Sequence, residues 1–518
     1  MSRPMASIEE LLESSIANND LHRSAYVPDD QTAWDIAQKT HALRQLEEQL
    51  DESARSTIEE RIHAQIALQV ALLAPCRRIP PEILSSIFVL AVPDKWDELY
   101  VGKRTLYLAS VCFRWREIAL GTPKLWSSLR FDDRVNSFDR HIGALKAELK
   151  KTAQAPLQIR IRMNGPEGWS DEAWALLCAE SHRFEDLRLT NIPRNAYDGF
   201  LGHPFPLLEG LTVHLDDLPE SSNSAADLPL RPFLLAPRVS RLHITYLASV
   251  RPFKLPKAWT ITELSISAGD RNFGGGPLAP CFAAIVACSN TLESLHLGAS
   301  AGLGELSGCW PSPTTFPCLK ELILSGDAIL LGHHISVPNL RSLYLFSQIF
   351  SDSNAVEVLQ HLLDGSMESQ LETLNLKYTE PVSLPQLIAC LRRLSSLRDL
   401  ELWSDEFMGR DIIGPLVSEE IIHELTRDDD NPASLTLLPN LSYLRIGFGY
   451  VEELMEAKKH CVLKRIYTSR QETRTVDGVA LARLEYLSTY GHMGREGFRR
   501  WPPVELDESF QGLRLVAA

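Results

Sequence analysis

Two hydrophobic periods divide this chain. Up to about residue 126 the apolar side chains recur three and four residues apart, the period of a helix with one buried face. Beyond residue 128 short runs alternate apolar and variable positions, the period of a strand with one buried side. In the first part, Thr32-Ala33-Trp34-Asp35 has the form of a capping box, and the spacing predicts one long amphipathic helix to about Leu73, within residues 31–74. Ile36, Leu43 and Leu50 stand a heptad apart with Leu46 between them, and Ile58, Ile62 and Ile66 continue at four-residue steps. The pattern is not a sustained strict heptad. It suits packing within the chain more than pairing with a second copy as a coiled coil, and both readings stay open. Residues 1–30, polar and of mixed charge with a weak helical patch around Ile8 to Ile16, read as a mobile tail.

The stretch from Arg77 to Trp126 is denser. Pro80 and Pro81 fix the first turn of a helix, where no amide partner is required. Ile83, Leu84, Ile87, Phe88 and Ala91 then form one apolar face. Leu108, Val111, Cys112, Trp115, Ile118 and Ala119 repeat the arrangement in a further helix that Gly121 can end. About fifty residues make a poor core alone, so part of this apolar surface is expected to be covered by the preceding helix or by a partner.

The order Ile79-Pro80-Pro81-Glu82-Ile83-Leu84, Ile87-Phe88, Leu108, Val111-Cys112, Trp115-Arg116 and Pro123-Lys124-Leu125-Trp126 resembles an F-box, over roughly a tenth of the chain. Ile79 stands where the family usually has leucine, and Pro93 to Thr105 lengthens the link between the first two helices. The resemblance implies a three-helix module, residues 75–128, that docks on the Skp-type adaptor of SCF ubiquitin ligases and through it on a cullin. It further implies that Ile79, Pro80, Pro81, Ile83, Leu84, Ile87, Phe88, Val111, Cys112, Trp115, Leu125 and Trp126 supply the adaptor contact and the module's own core.

From residue 129 to 518 the chain repeats itself. The frame Pro-x-aliphatic-x-x-Leu-x-aliphatic occurs at Pro206, Pro237, Pro317, Pro338 and Pro439. With aliphatics at roughly a quarter of positions, 31 prolines would give about half an occurrence by chance. The frame without proline appears around Leu187, Leu264, Leu295, Leu374, Leu400, Ile466 and Leu487, making twelve candidate strands. Helical faces lie between several of them, at Leu384, Leu387, Ile388, Leu391 and Leu394, at Val356, Leu359, Leu362 and Leu363, and at Phe282, Ile285 and Val286. Strand, turn and helix at this period resemble a leucine-rich repeat, irregular in unit length, in which each unit buries its apolar side only by stacking on its neighbours. The expected fold class is therefore α/β (α+β): an N-terminal helix and F-box, then a solenoid of parallel strands with helices on the convex side. The competing architecture, a doubly wound sheet, would bury its strands on both faces. Polar residues at mid-strand positions such as Arg188, His243, Ser265, His296, Asn375 and Glu401 argue against it.

Composition narrows the chemistry. A net charge of -15 and only short basic pairs, Lys458-Lys459 and Arg499-Arg500, speak against nucleic acid as the partner. No signal layout or membrane-length apolar run is evident, so the cytoplasm or nucleus is expected. Nine scattered cysteines contain no Cys-x-x-Cys pair and read as buried thiols. Gly274-Gly275-Gly276 lacks the lysine of a phosphate loop, His333-His334 lacks a third ligand, and Asp428-Asp429-Asp430 lacks the rest of a calcium loop. No catalytic residue, metal site or cofactor is expected. The open strand face would bind a target protein, with the aromatics Tyr344, Phe346, Tyr378 and Trp403 as candidate anchors and Arg188, Thr212, His214, His243 and Thr245 on the earlier strands. Two functions follow: a substrate receptor of a cullin-RING ligase, or an interaction scaffold in which the F-box-like helices only cap the repeats.

Overall fold

The computed structural model describes residues 3–15, 17, 20–21, 26–49, 52–92, 107–132, 142–163, 170–192, 197–215, 230–246, 253–268, 278–299, 313–347, 354–365, 370–378, 383–404, 419–448, 464–476 and 478–491. The chain divides into two compact units, residues 1–130 with 137–159 and residues 131–136 with 160–518. Among the described residues no helix is long and apolar enough to cross a membrane.

The first unit opens with helix α1 (Arg3–Glu13), where a mobile tail was expected. Ile8 explains the difference: it is fully buried against Leu43, Ile58 and Ile62, so the weak amphipathic patch is held by tertiary contact. The expected single helix is two, α2 (Asp30–Glu48) and α3 (Glu52–Leu73), packed on each other. Asp29 is the N-cap, accepting from the Thr32 amide at 2.8 Å, one turn before the expected start. A heptad series and a four-residue series that share one core require the chain to reverse, and Ile36 indeed packs with Leu72. Inside this hairpin the Thr40 hydroxyl lies 2.8 Å from Gln69 Oε1, a buried polar pair. The two stripes thus share one core within the hairpin.

After a 3-10 turn at Pro75–Arg78 comes α4 (Pro81–Ala91), led by its two prolines. Residues 107–111 are helical, and Cys112 breaks the expected continuous helix. Its backbone is extended and its Sγ accepts from the Trp115 amide, so it caps α5 (Phe113–Leu120), which Gly121 ends. A 3-10 turn, Pro123–Trp126, closes the segment.

The second unit is dominated by a parallel sheet. Eleven of its described strands follow one another in chain order without a reversal. Ten of these eleven contribute a buried apolar pair to one side, such as Leu211 and Val213, Leu264 and Ile266, Leu343 and Leu345, or Leu400 and Leu402, whereas Tyr486–Gly491 has Thr489 and the half-buried Leu487 in register there. Connecting segments cover that side. Leu359, Leu362 and Leu363 of helix Ala355–Gly365 line the same small gap as Leu343 and Leu340. Helices Phe282–Ala287 and Leu384–Arg392 lie where the apolar faces were read, while other connections are 3-10 turns such as Arg231–Phe233 and Asp327–His334. The turns that enter the strands are tied to their predecessors: Asn339 Nδ2 donates to Pro317 O at 2.8 Å and Asn440 Nδ2 to Ser395 O at 2.8 Å.

Eleven of the twelve frames are strands; the one around Ile466 is not. Residues 464–469 are helical, with Ile466, Tyr467 and Arg470 buried at helical spacing. Two further described strands, Ser128–Asp132 and Leu157–Arg162, carry no frame.

Candidate interaction surfaces

The segment 79–126 is bound together by its own inner face. Leu84, Phe88, Ala119, Leu125 and Trp126 form one buried cluster against which Ile79, Leu108, Trp115 and Ile118 pack. The Phe88 and Trp115 rings are 4.8 Å apart, and Trp126 Nε1 donates to Ala119 O at 2.8 Å. Arg114 fastens α5 to the start of α4 by donating to the carbonyls of Arg77 and Ile79. The Ser85 and Thr122 hydroxyls, 2.9 Å apart, join the far end.

The outer face is different. On α4, Ile83 is 54% exposed, Ile87 44% and Leu90 86%, against 2% for Leu84 and 1% for Phe88. Three large aliphatics at positions i, i+4 and i+7 therefore face solvent from one helix. Tyr107, Val111 and Phe113 are exposed as well. The twelve residues expected to form an adaptor contact thus divide by role. Leu84, Phe88, Leu125 and Trp126 are core; Ile79, Cys112 and Trp115 are half-buried; Pro80, Pro81, Ile83, Ile87 and Val111 are exposed. Leu90 was missed, although it continues the spacing of Ile83 and Ile87.

The second surface is the open side of the sheet. Strand register places Arg188, Thr212, His243, Ser265, His296, Ile323, Tyr344, Asn375, Glu401, Arg445 and Ser488 in one row. The next row contains Thr190, His214, Thr245, Ser267, Gly298, Ser325, Phe346, Lys377, Trp403 and Gly447. The candidate aromatics are therefore not one patch. Tyr344 and Phe346 lie 6.3 Å apart, but Lys377 stands between Phe346 and Trp403, its Nζ 4.7 Å above the Trp403 ring. Tyr378 is in register with Ser404, and its side chain is outside the described residues. Gly447 is required beside Trp403, because a Cβ there would come within 2.9 Å of the ring. Arg445 donates to Asp399 at 2.7 Å and lies 3.2 Å from Glu401, so this end mixes aromatic and charged groups. No protein-family model and no curated protein matches the chain.

The earlier strands are basic and histidine-rich. His214 and His243 stack with ring centroids 6.0 Å apart. Burial, followed by the charges of His214, His296 and Arg188, holds His243 down at about 4. Desolvation also lowers His296 and His214, the latter with help from Arg160, Arg162 and Arg188.

The remaining candidate chemistry is placed as follows. Cys178, Cys281, Cys288 and Cys390 are buried thiols, the first three pushed up to about 12 by burial, whereas Cys318 is exposed. Asp428–Asp430 bond within their own turn and to Arg474, and His333 lies against His361, with ring centroids 5.3 Å apart. Glycines 274–276 are outside the described residues. A cluster the sequence did not suggest, Glu47 with Glu59 and His63, joins α2 to α3, and His63 Nε2 is 2.8 Å from Glu47 Oε1.

Proposed function

We propose that residues 79–126 are an F-box-type module and that the chain is the target-binding subunit of an SCF-type ubiquitin ligase. The module docks on a Skp-type adaptor and through it on a cullin, and the strand face of the second unit holds the target protein. Repeats of the leucine-rich kind supply that face. The observation that carries this reading is the split of α4: Leu84 and Phe88 hold the module together while Ile83, Ile87 and Leu90 are presented to solvent. Large exposed aliphatics grouped on one short helix cost solubility unless a partner covers them. Fully burying such a side chain contributes about 1.5–3 kcal/mol, less for Ile83 and Ile87, which are already partly covered, so these three anchor a contact that further residues complete. A helix that merely capped the repeats would have no reason to keep them.

The test is a pull-down of the purified chain with a Skp-type adaptor, in parallel with the double variant Ile83→Asp and Ile87→Asp. These positions are chosen over Leu84 and Phe88, whose substitution would unfold the module. Retention by the wild type and loss by a variant of unchanged circular dichroism is the expected result. A folded wild type that fails to bind the adaptor overturns the proposal and leaves the chain as an interaction scaffold.

A further inference from the structure

The early part of the strand face has a chemistry of its own. The Met163 amide donates to Thr190 O at 3.0 Å. Leu157–Arg162 neighbours Phe184–Thr190 in the sheet. Taken in the parallel sense of the strands that follow, the Met163 bond sets Arg162 opposite Thr190 and Arg160 opposite Arg188. That placement agrees with the action of Arg160, Arg162 and Arg188 together on His214. Arg160 and Arg162 alternate with the buried Ile159 and Ile161, so they lie on the open side with Arg188. The two rows therefore begin Arg160, Arg188, Thr212, His243 and Arg162, Thr190, His214, Thr245. With strands about 4.8 Å apart, the first three members of both rows fit within about 10 Å.

Each of these side chains is half-buried, within reach of solvent but partly stripped of it. The four strands that carry them, Leu157–Arg162, Phe184–Thr190, Gly210–Leu215 and Arg241–Tyr246, hold four arginines against two carboxylates, Glu185 and Asp186. Asp186 lies one row away, 3.4 Å from Arg188 and 3.7 Å from Arg241. Arg162 Nε is buried and has no hydrogen-bond partner among the described residues. The histidines respond to the same field, being held below their ordinary values by burial and by these cations.

We propose that Arg160, Arg162, Arg188 and His214, with hydroxyl donors from Thr190 and Thr212, form a binding site for a dianionic tetrahedral oxyanion of the phosphate type. Guanidinium groups match the paired oxygens of such an anion, and charge-assisted bonds in a half-buried site are stronger than at an open surface. A lone carboxylate fits less well. It carries one charge and two oxygens where three guanidiniums, an imidazole and two hydroxyls converge. The ligand is either a phosphate ester on a bound protein or a free phosphate.

Calorimetric titration of the full chain with inorganic phosphate, against sodium chloride at matched ionic strength, tests the site. Saturable binding is expected, weakened at least tenfold in Arg162→Gln and unchanged in Arg445→Gln on the distant strands. Arg162→Gln is chosen because its Nε supports no described contact, and a thermal melt verifies its fold. If that variant melts early, Thr190→Val, which removes only a hydroxyl donor, replaces it, with weaker phosphate binding again the expected result. A phosphoserine peptide binding more tightly than inorganic phosphate identifies an ester on a protein as the source; equal or weaker binding identifies free phosphate. Absence of saturable binding by the wild type, or equal affinity in the variant, overturns the site. Adaptor pull-down with the same variants is expected to be unaffected, so failure here is distinguishable from failure of the ligase reading.

Discussion

Single side chains decide which of two neighbouring positions is core and which faces solvent. Leu84 and Ile83 are adjacent and chemically similar, yet one is buried and the other faces water. Phe88→Ala is expected to cost about 3–5 kcal/mol by opening a cavity beside Trp115, read as a lower melting temperature. Ile83→Asp should shift stability by no more than about 0.5 kcal/mol. Reversal of that order would show that the outer face is covered. His243 yields a pH prediction. Its folded value, about 4, lies below its ordinary 6.5, so between those limits the unfolded chain takes up a proton that the folded chain refuses. Stability is fully present above pH 6.5 and is lost as the pH falls toward 4. The charged groups facing it are His214, His296 and Arg188. Melting curves across this window should be flatter for His243→Gln than for the wild type.

At the level of elements, the N-terminal helices show how tertiary contact overrides a local pattern. The heptad of Ile36 and Leu43 and the four-residue series of Ile58 and Ile62 are legible in the sequence, but they specify a stripe and not the direction of the chain after residue 49. The hairpin closes because both stripes need the same core, and α1 joins because Ile8 fills the remaining side. Ile8→Asp would bury a charge with no described partner and is expected to cost at least 2 kcal/mol or so. Circular dichroism melts of the full chain should show one transition lowered; an unchanged melt would mean that α1 does not stabilise the hairpin. The break at Cys112 has a similar origin. The apolar spacing continues through it, and only the cap geometry stops the helix.

Across the whole molecule, the parallel sheet is a chain of nearest-neighbour contacts, and its last described part is closed differently. Arg470, fully buried, donates Nε to Leu425 O at 2.8 Å and its terminal nitrogens to Leu438 O at 3.2 Å and Leu437 O at 3.1 Å. Arg427 makes a comparable bond to Ala482 O at 3.1 Å. One planar guanidinium thus serves carbonyls from two segments that the sheet ladder does not reach. Lysine cannot reproduce that fork, and Arg470→Lys is expected to cost about 2–4 kcal/mol by leaving carbonyls unpaired. Denaturant melts give the value; a cost near zero would mean that water replaces the guanidinium. The aliphatic frame around Ile466 predicts a strand. The burial of Arg470 four residues on is what shows that segment to be a helix face.

By itself the sequence determined the periods: where strands recur, where prolines start α4, and which positions of each strand are apolar. Those follow from local geometry, since a two-residue or 3.6-residue repeat marks one face whatever lies opposite it. Only the tertiary structure decided which apolar residues of α4 are core, that the first long helix folds back, that Lys377 separates Phe346 from Trp403, and that Arg160, Arg162 and Arg188 converge. Each of these depends on register or packing between segments far apart in the chain, and a one-dimensional pattern carries no information about its partner.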